Sequence, residues 1–222
     1  MRTPIRRTIT VTSSLTVLAA LCAVGTGTGT ALANGTARVR QQITVSATSH
    51  SATSATFVAY EWTGHRWVRE FGPWTARVGY HGIARRGTKR EGDGKTPSGT
   101  YGFQFFFGVL ADPGVAYSYR RAHRYDVWDD DPSSPRYNEW VDDRHHDPGA
   151  RPEPMDQKPV YDYAAVIAYN TARVPGRGSA IFLHVSSGSP TAGCVSLPRG
   201  ELLRVLRWLR PADHPRITIK AR

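Results

Sequence analysis

Short runs rich in β-branched and aromatic residues, each cut off by Gly, Pro or Asp before a helix of useful length can form, constrain this chain more than any other feature. Residues 55–62 and 66–71 flank Thr63-Gly64-His65 as the arms of a hairpin, and further strand-like runs lie at 101–110, 160–169, 179–185 and 217–220. One segment departs from the pattern. After Pro198, residues Leu202, Val205, Leu206 and Leu209 recur at helical spacing, with Glu201, Arg204, Arg207 and Arg210 on other faces, until Pro211 ends the run. The stretch 111–158 is rich in Asp, Arg, Pro, His and aromatics and has no sustained periodicity; a long insertion of this kind is usually a functional lid or a solvated excursion. The expected fold is mainly β, one domain over 55–222, with one α-helix in the C-terminal region and a long irregular insertion. Residues 34–54, rich in Thr, Ser and Ala, read as a flexible lead or an early edge strand.

The amino terminus carries a different signal. Arg2, Arg6 and Arg7 precede an apolar stretch at 11–24, followed by small and polar residues and by Ala31-Leu32-Ala33, the pattern of a secretory signal peptide with its cleavage site. Fourteen residues fall short of the roughly 20 that a membrane-spanning helix requires. Export is therefore expected, with Sec and twin-arginine routes both open. Cleavage after Ala33 removes 33 of the 222 residues and leaves 189; three arginines and no acids depart, so the formal charge falls from +11 to +8. Cys22 leaves with the signal and Cys194 becomes the single thiol. That count excludes a disulfide scaffold and a four-thiolate zinc site. What remains for Cys194 is a buried small hydrophobe, an intermolecular disulfide or a reactive nucleophile.

The neighbours of Cys194 favour the last. Residues 180–185 are an apolar run fit for a buried strand, and alternation puts Ala180, Phe182 and His184 on one face. A loop of Ser, Gly and Pro then returns the chain within ten residues to Gly193-Cys194. An unperturbed thiol, with a pKa of about 8.5, is only a few per cent thiolate near neutrality, so a neighbouring imidazole that takes the proton during attack is what the chemistry needs. His184 taken alone also fits a satisfied core histidine. Gly193 removes a side chain beside the sulfur and leaves backbone N–H groups to face a developing oxyanion.

These residues resemble the L,D-transpeptidase (YkuD-type) family of bacterial cell-wall enzymes, in a branch where Gly178-Ser-Ala-Ile-Phe-Leu-His184 leads to Pro190-Thr-Ala-Gly-Cys-Val195. The segments 91–101, with its Gly- and Pro-rich turn, 137–141 and 161–170 stand in the family's order, and the likeness spans roughly 57–220. The resemblance implies a β-sandwich catalytic domain with Cys194 as nucleophile and His184 as its base. It implies attack on the bond between the third, diamino acid residue of a peptidoglycan stem tetrapeptide and its terminal D-alanine, followed by transfer to an amine of another stem or to water. It implies no metal and no organic cofactor, and carbapenem-type β-lactams as covalent inhibitors. One departure stands out: Thr191-Ala-Gly-Cys-Val-Ser196 lacks the family's usual histidine before Gly-Cys and the usual Arg or Asn two residues after the cysteine. The balance between transfer and hydrolysis is thereby left open, as are the alternatives of an L,D-carboxypeptidase and a non-catalytic wall-binding module.

Other signals weigh less. Tyr137, Asn138 and Trp140 are candidates to line a substrate groove, or a turn anchored by an aromatic; Thr191 is a candidate substrate contact, an orienting group for the loop or a turn residue. Adjacent His145 and His146 would point to opposite faces of a strand, and Asp129-Asp130-Asp131 lacks the spacing of a calcium loop, so no metal site is expected. The surplus of positive charge has no nucleic-acid-binding motif beside it; anionic wall polymers are the nearer polyanion for an exported chain, and peptidoglycan stem peptides the expected substrate.

Overall fold

The structure, a computed structural model, describes residues 38–222. The expected signal peptide, its cleavage site and Cys22 lie outside the described residues, as does the start of the lead. The chain forms β1 (Gln41–Ala47), β2 (Ser54–Trp62), β3 (Trp67–Arg77), β4 (Gly99–Tyr101), β5 (Phe103–Gly108), β6 (Tyr119–Arg121), β7 (Asp126–Asp129), β8 (Glu139–Asp142), β9 (Glu153–Pro154), β10 (Ala164–Ile167), β11 (Phe182–Val185) and β12 (Val195–Leu197), then α1 (Arg199–Trp208) and β13 (Arg216–Ala221). The mainly β expectation is met, and α1 lies where Leu202, Val205 and Leu206 placed it.

Ten strands form one sheet in the order β4, β13, β1, β2, β3, β12, β11, β10, β5, β6. Its two halves meet at a single register pair, Ser196 with Arg77. Strands from both halves bury side chains in one core: Ile43, Phe57 and Ile217 from one, Leu183, Val195, Ile167 and Phe106 from the other. The sheet is therefore curled around its contents, as in a β-sandwich. The stripe Leu202, Val205, Leu206 and Leu209 of the helical segment enters the same core, each residue fully buried. At about 1.5–3 kcal/mol per buried aliphatic side chain, that stripe is what fixes the helix to the sheet. Gln41, itself fully buried, ties the end of the helix to β1: its Nε2 donates to Trp208 O and its Oε1 accepts from Arg210 N, both at 2.8 Å.

Two expectations need correction. Within the lead at 34–54, residues 41–47 form a strand, and it is no edge strand: β1 runs between β13 and β2 in the interior of the sheet. Gln41, Ile43, Val45 and Ala47 face inward while Gln42, Thr44 and Ser46 alternate with them, an apolar period of two that the small polar residues obscured. The insertion is also less irregular than its sequence suggests. It contributes β6 to the edge of the main sheet and builds a separate three-stranded sheet, β8, β7, β9. Strands of two to four residues are too short to display a period.

A second apolar cluster lies on the other side of β10 and β11, where Phe107, Trp128, Tyr161, Ala164, Val166, Phe182 and Cys194 pack together. Phe182 is its hub, with edge-to-face contacts to Phe107, Trp128 and Tyr161 at centroid distances of 5.1–5.7 Å. Trp128 comes from the insertion, so this cluster pins the small sheet against the strand that carries His184.

Candidate active site

Parallel pairing of β11 with β12 sets Leu183 beside Val195, His184 beside Ser196 and Val185 beside Leu197. Because side chains alternate along a strand, Leu183, Val185, Val195 and Leu197 face the helix while His184 and Ser196 face the opposite side. Cys194, two residues before Ser196, shares that opposite face. His184, Cys194 and Ser196 all line one cavity of about 300 Å³. The sequence-predicted pair is thus brought to a common site.

The sulfur is held by backbone. Phe182 N–H donates to Cys194 Sγ at 3.3 Å, and the thiol donates to Ala180 O at 3.2 Å. Ala180 adopts a left-handed conformation, φ +50°, which for a residue with a Cβ costs on the order of 1–3 kcal/mol. Asn138 stabilises it: its Oδ1 accepts from Ala180 N at 3.2 Å and from Trp128 Nε1 at 2.9 Å, while its Nδ2 donates to Tyr169 O and Asn170 O. The kink turns the Ala180 carbonyl toward the thiol.

Two threonines fix the loop from the other direction. Thr191 Oγ1 donates to Cys194 O at 2.7 Å and accepts from Gly193 N at 3.2 Å; Thr96 Oγ1 donates to the same carbonyl at 3.0 Å and accepts from Gly79 N. Thr191 therefore orients the loop as well as lining the cavity. A Cβ at Gly193 would lie 3.2 Å from Lys95 O and 3.4 Å from Ile181 Cδ1, so close packing explains the glycine. Its N–H is committed to Thr191, whereas the Cys194 N–H carries no hydrogen bond among the described residues.

The imidazole of His184 is oriented by backbone too. Nδ1 lies 2.9 Å from Val185 O, and since a carbonyl only accepts, Nδ1 carries the proton and Nε2 keeps a free lone pair. Tyr161 packs edge-on to the ring at 5.5 Å and donates its hydroxyl to Glu153 Oε1 at 2.9 Å. Burial pushes the His184 pKa down to about 4, against the opposing pull of the Val185 and Val160 carbonyls. Burial likewise pushes the Cys194 thiol up to about 12; the Phe182 N–H and Lys89 work against that, and Glu153 adds to it. Both shifts favour the neutral thiol and the neutral imidazole over a thiolate–imidazolium pair.

Charged groups line the rest of the cavity. Lys89, 5% exposed, is paired with Asp93 at 2.7 Å, and its Nζ would be 3.9 Å from a Cβ at Gly193. Glu91, Asp130 and Glu153 line the same cavity. Burial, then the charges of Glu91 and Glu153, raise Asp130 to about 7. Sequence reasoning singled out neither Lys89 nor Glu153, which lie far from the Gly-Cys loop in the chain; Thr96 and Tyr161 fell within the 91–101 and 161–170 segments and Asp130 within the Asp129–Asp131 run, without a role at the site.

Three groove candidates have other work. Tyr137 is 2% exposed, donates its hydroxyl to Glu91 and accepts from Gly178 N at 3.0 Å. Asn138 is the clamp on Ala180. Trp140 stacks edge-on to Phe105 and Phe107 and donates to Asp126 Oδ1 at 3.0 Å, away from the cavity of His184 and Cys194. His145 and His146 are exposed.

A mainly β domain that buries a thiol and an imidazole on one face of two paired strands defines the class. The chain belongs to the YkuD family, the L,D-transpeptidase catalytic domain, whose model matches residues 40–219. Membership points to L,D-transpeptidase-type activity. Comparison with curated proteins found no match. Among solved structures, the helical cell shape determining protein Pgp2 from Campylobacter jejuni is similar at a TM-score of 0.41 and 14% identity, over 82% of this chain and 48% of that one. This chain thus spans about half the length of that protein.

Proposed function

We propose that this protein is an exported peptidoglycan L,D-transpeptidase that works through an acyl-enzyme on Cys194. The observation that carries the reading is that a buried thiol and a buried imidazole line one cavity, the imidazole with its Nδ1 committed to Val185 O, which leaves Nε2 to act as the base. Because both groups are neutral at rest, proton transfer accompanies attack. His184 Nε2 takes the Cys194 proton as the sulfur adds to the carbonyl between the diamino acid and the terminal D-alanine. The oxyanion faces the Cys194 N–H, since the Gly193 N–H is engaged by Thr191. On collapse the C–N bond breaks, the D-alanine amine takes the proton from His184, and a thioester remains. An amine of a second stem, or water, then adds to the thioester and restores the thiol.

Retention in the wall follows from the same reading, with the +8 chain drawn to anionic wall polymers. The deciding experiment incubates the mature protein with a stem tetrapeptide or a carbapenem and measures intact mass. An adduct on Cys194 and release of D-alanine are expected; a reactive, folded protein that yields neither sinks the proposal. Wall binding unchanged by Cys194→Ala, with muropeptides unaffected by the wild type, would favour a non-catalytic module instead.

A further inference from the structure

Ser196 is 1% exposed and its hydroxyl has no hydrogen-bond partner among the described residues. Leaving a buried hydroxyl unpaired costs about 1–3 kcal/mol, an expense that a site under no other demand removes with alanine. Its neighbours on the cavity wall are satisfied: Ser179 by Glu91, Tyr161 by Glu153, Thr191 by Cys194 O. Ser196 stands beside His184 in the β11–β12 register, two residues beyond Cys194, on the same face and lining the same cavity. The imidazole of His184 and the side chain of Ser196 thus line one cavity with Cys194.

We propose that Ser196 holds the water that hydrolyses the Cys194 acyl-enzyme, and so sets how much of the acyl group is lost to hydrolysis and how much is transferred. This rests on the acyl-enzyme reading above. A buried water needs two to four polar partners, and His184 Nε2 with Ser196 Oγ supplies two on one side of a thioester. One O–H of the water gives its proton to His184 Nε2 while its oxygen adds to the thioester carbonyl; the other O–H donates to Ser196 Oγ. The C–S bond then breaks, the sulfur takes the proton back from His184, and the acid departs. The departing D-alanine amine and an incoming stem amine are each placed by the peptide that carries them. Water has no such tether, so its placement falls on the protein.

The test compares the mature wild type with Ser196→Ala by intact mass and muropeptide analysis, using a stem tetrapeptide with and without an acceptor stem. Acylation of Cys194 and capture by the acceptor are expected to change less than about threefold, and hydrolysis of the acyl-enzyme to slow about tenfold. The ratio of cross-linked to trimmed product then rises, a readout that general loosening of the fold does not move. The thermal midpoint of Ser196→Ala is expected to equal or exceed that of wild type, since an unpaired buried hydroxyl has been removed. An unchanged hydrolysis rate in the variant overturns the assignment while leaving the acyl-enzyme intact, and so does a parallel fall of all rates. Failure of the wild type to acylate at Cys194 overturns this assignment and the parent reading together.

Discussion

Strands β11 and β12 present two buried faces made from alternate residues of the same short segments. On one, Leu183, Val185, Val195 and Leu197 meet Leu202, Val205 and Leu206 of α1 in a wholly apolar layer. On the other, His184, Cys194 and Ser196 are just as hidden from water but carry a thiol, an imidazole and a hydroxyl. The first face stabilises the fold by removing hydrocarbon from water, an effect without direction that tolerates small shifts. The second loses stability to shifted pKa values and an unpaired hydroxyl, and in return holds reactive groups in place at the wall of one cavity. Two strands of three and four residues thus divide stability from chemistry by side-chain alternation alone.

The widest separation of the two faces is expected from Cys194→Ala and His184→Ala. The first abolishes the covalent adduct; the second lowers the acylation rate by about 10²–10⁴-fold. Both variants are expected to retain a cooperative thermal transition, so rapid-quench mass measurements beside thermal melts test the division directly. The opposite experiment is Leu183→Ala, one residue before His184. It should cost about 2–5 kcal/mol in urea unfolding while the folded fraction still acylates, because it empties space under the helix and touches no polar group.

The pH dependence of stability probes the polar face. His184 is depressed from its unfolded value of 6.5 to about 4, so its contribution is complete above pH 6.5 and is lost as pH falls toward 4, by about 3 kcal/mol. Asp130 acts with the opposite sign: raised from 3.8 to about 7, it contributes fully below pH 3.8 and its contribution fades as pH rises through 7. Urea midpoints across pH 4–8 should lose the acid-side decline in His184→Ala and should gain stability on the neutral side in Asp130→Asn. The smallest effect is expected from Thr191→Val, which deletes the hydrogen bonds to Cys194 O and Gly193 N at a cost of about 1–2 kcal/mol. A Thr191→Ser variant should restore the lost stability, since it keeps the hydroxyl.

Much of the fold was legible because its elements announce themselves locally. The hairpin around Thr63-Gly64-His65 became β2 and β3, and the stripe after Pro198 became α1. Strand β1 was obscured because Thr, Ser and Ala dilute its apolar period, although Ile43 and Val45 are fully buried. The small sheet of the insertion was illegible because its strands are shorter than any period they could display. At the site, His184 and the Gly193-Cys194 pair were readable from a chain that returns within ten residues. Lys89 and Glu153 were not, because nothing in the order of the chain ties them to a cysteine so far downstream.

The sequence by itself determined which residues alternate, where turns must fall, that one helix with an apolar stripe follows Pro198, and that a histidine and a cysteine are joined by a short loop. Those are local properties, written in side-chain shape and backbone freedom. The tertiary structure decided which face of β11 and β12 the helix covers, and so which face is left to chemistry. It also decided that Tyr137, Asn138 and Trp140 do not line the cavity of His184 and Cys194, and that the Ser196 hydroxyl, beside His184 in the strand register, stands unpaired. Those depend on which distant segments pack against which, and burial, pKa and hydrogen bonding exist only once that packing has excluded the water.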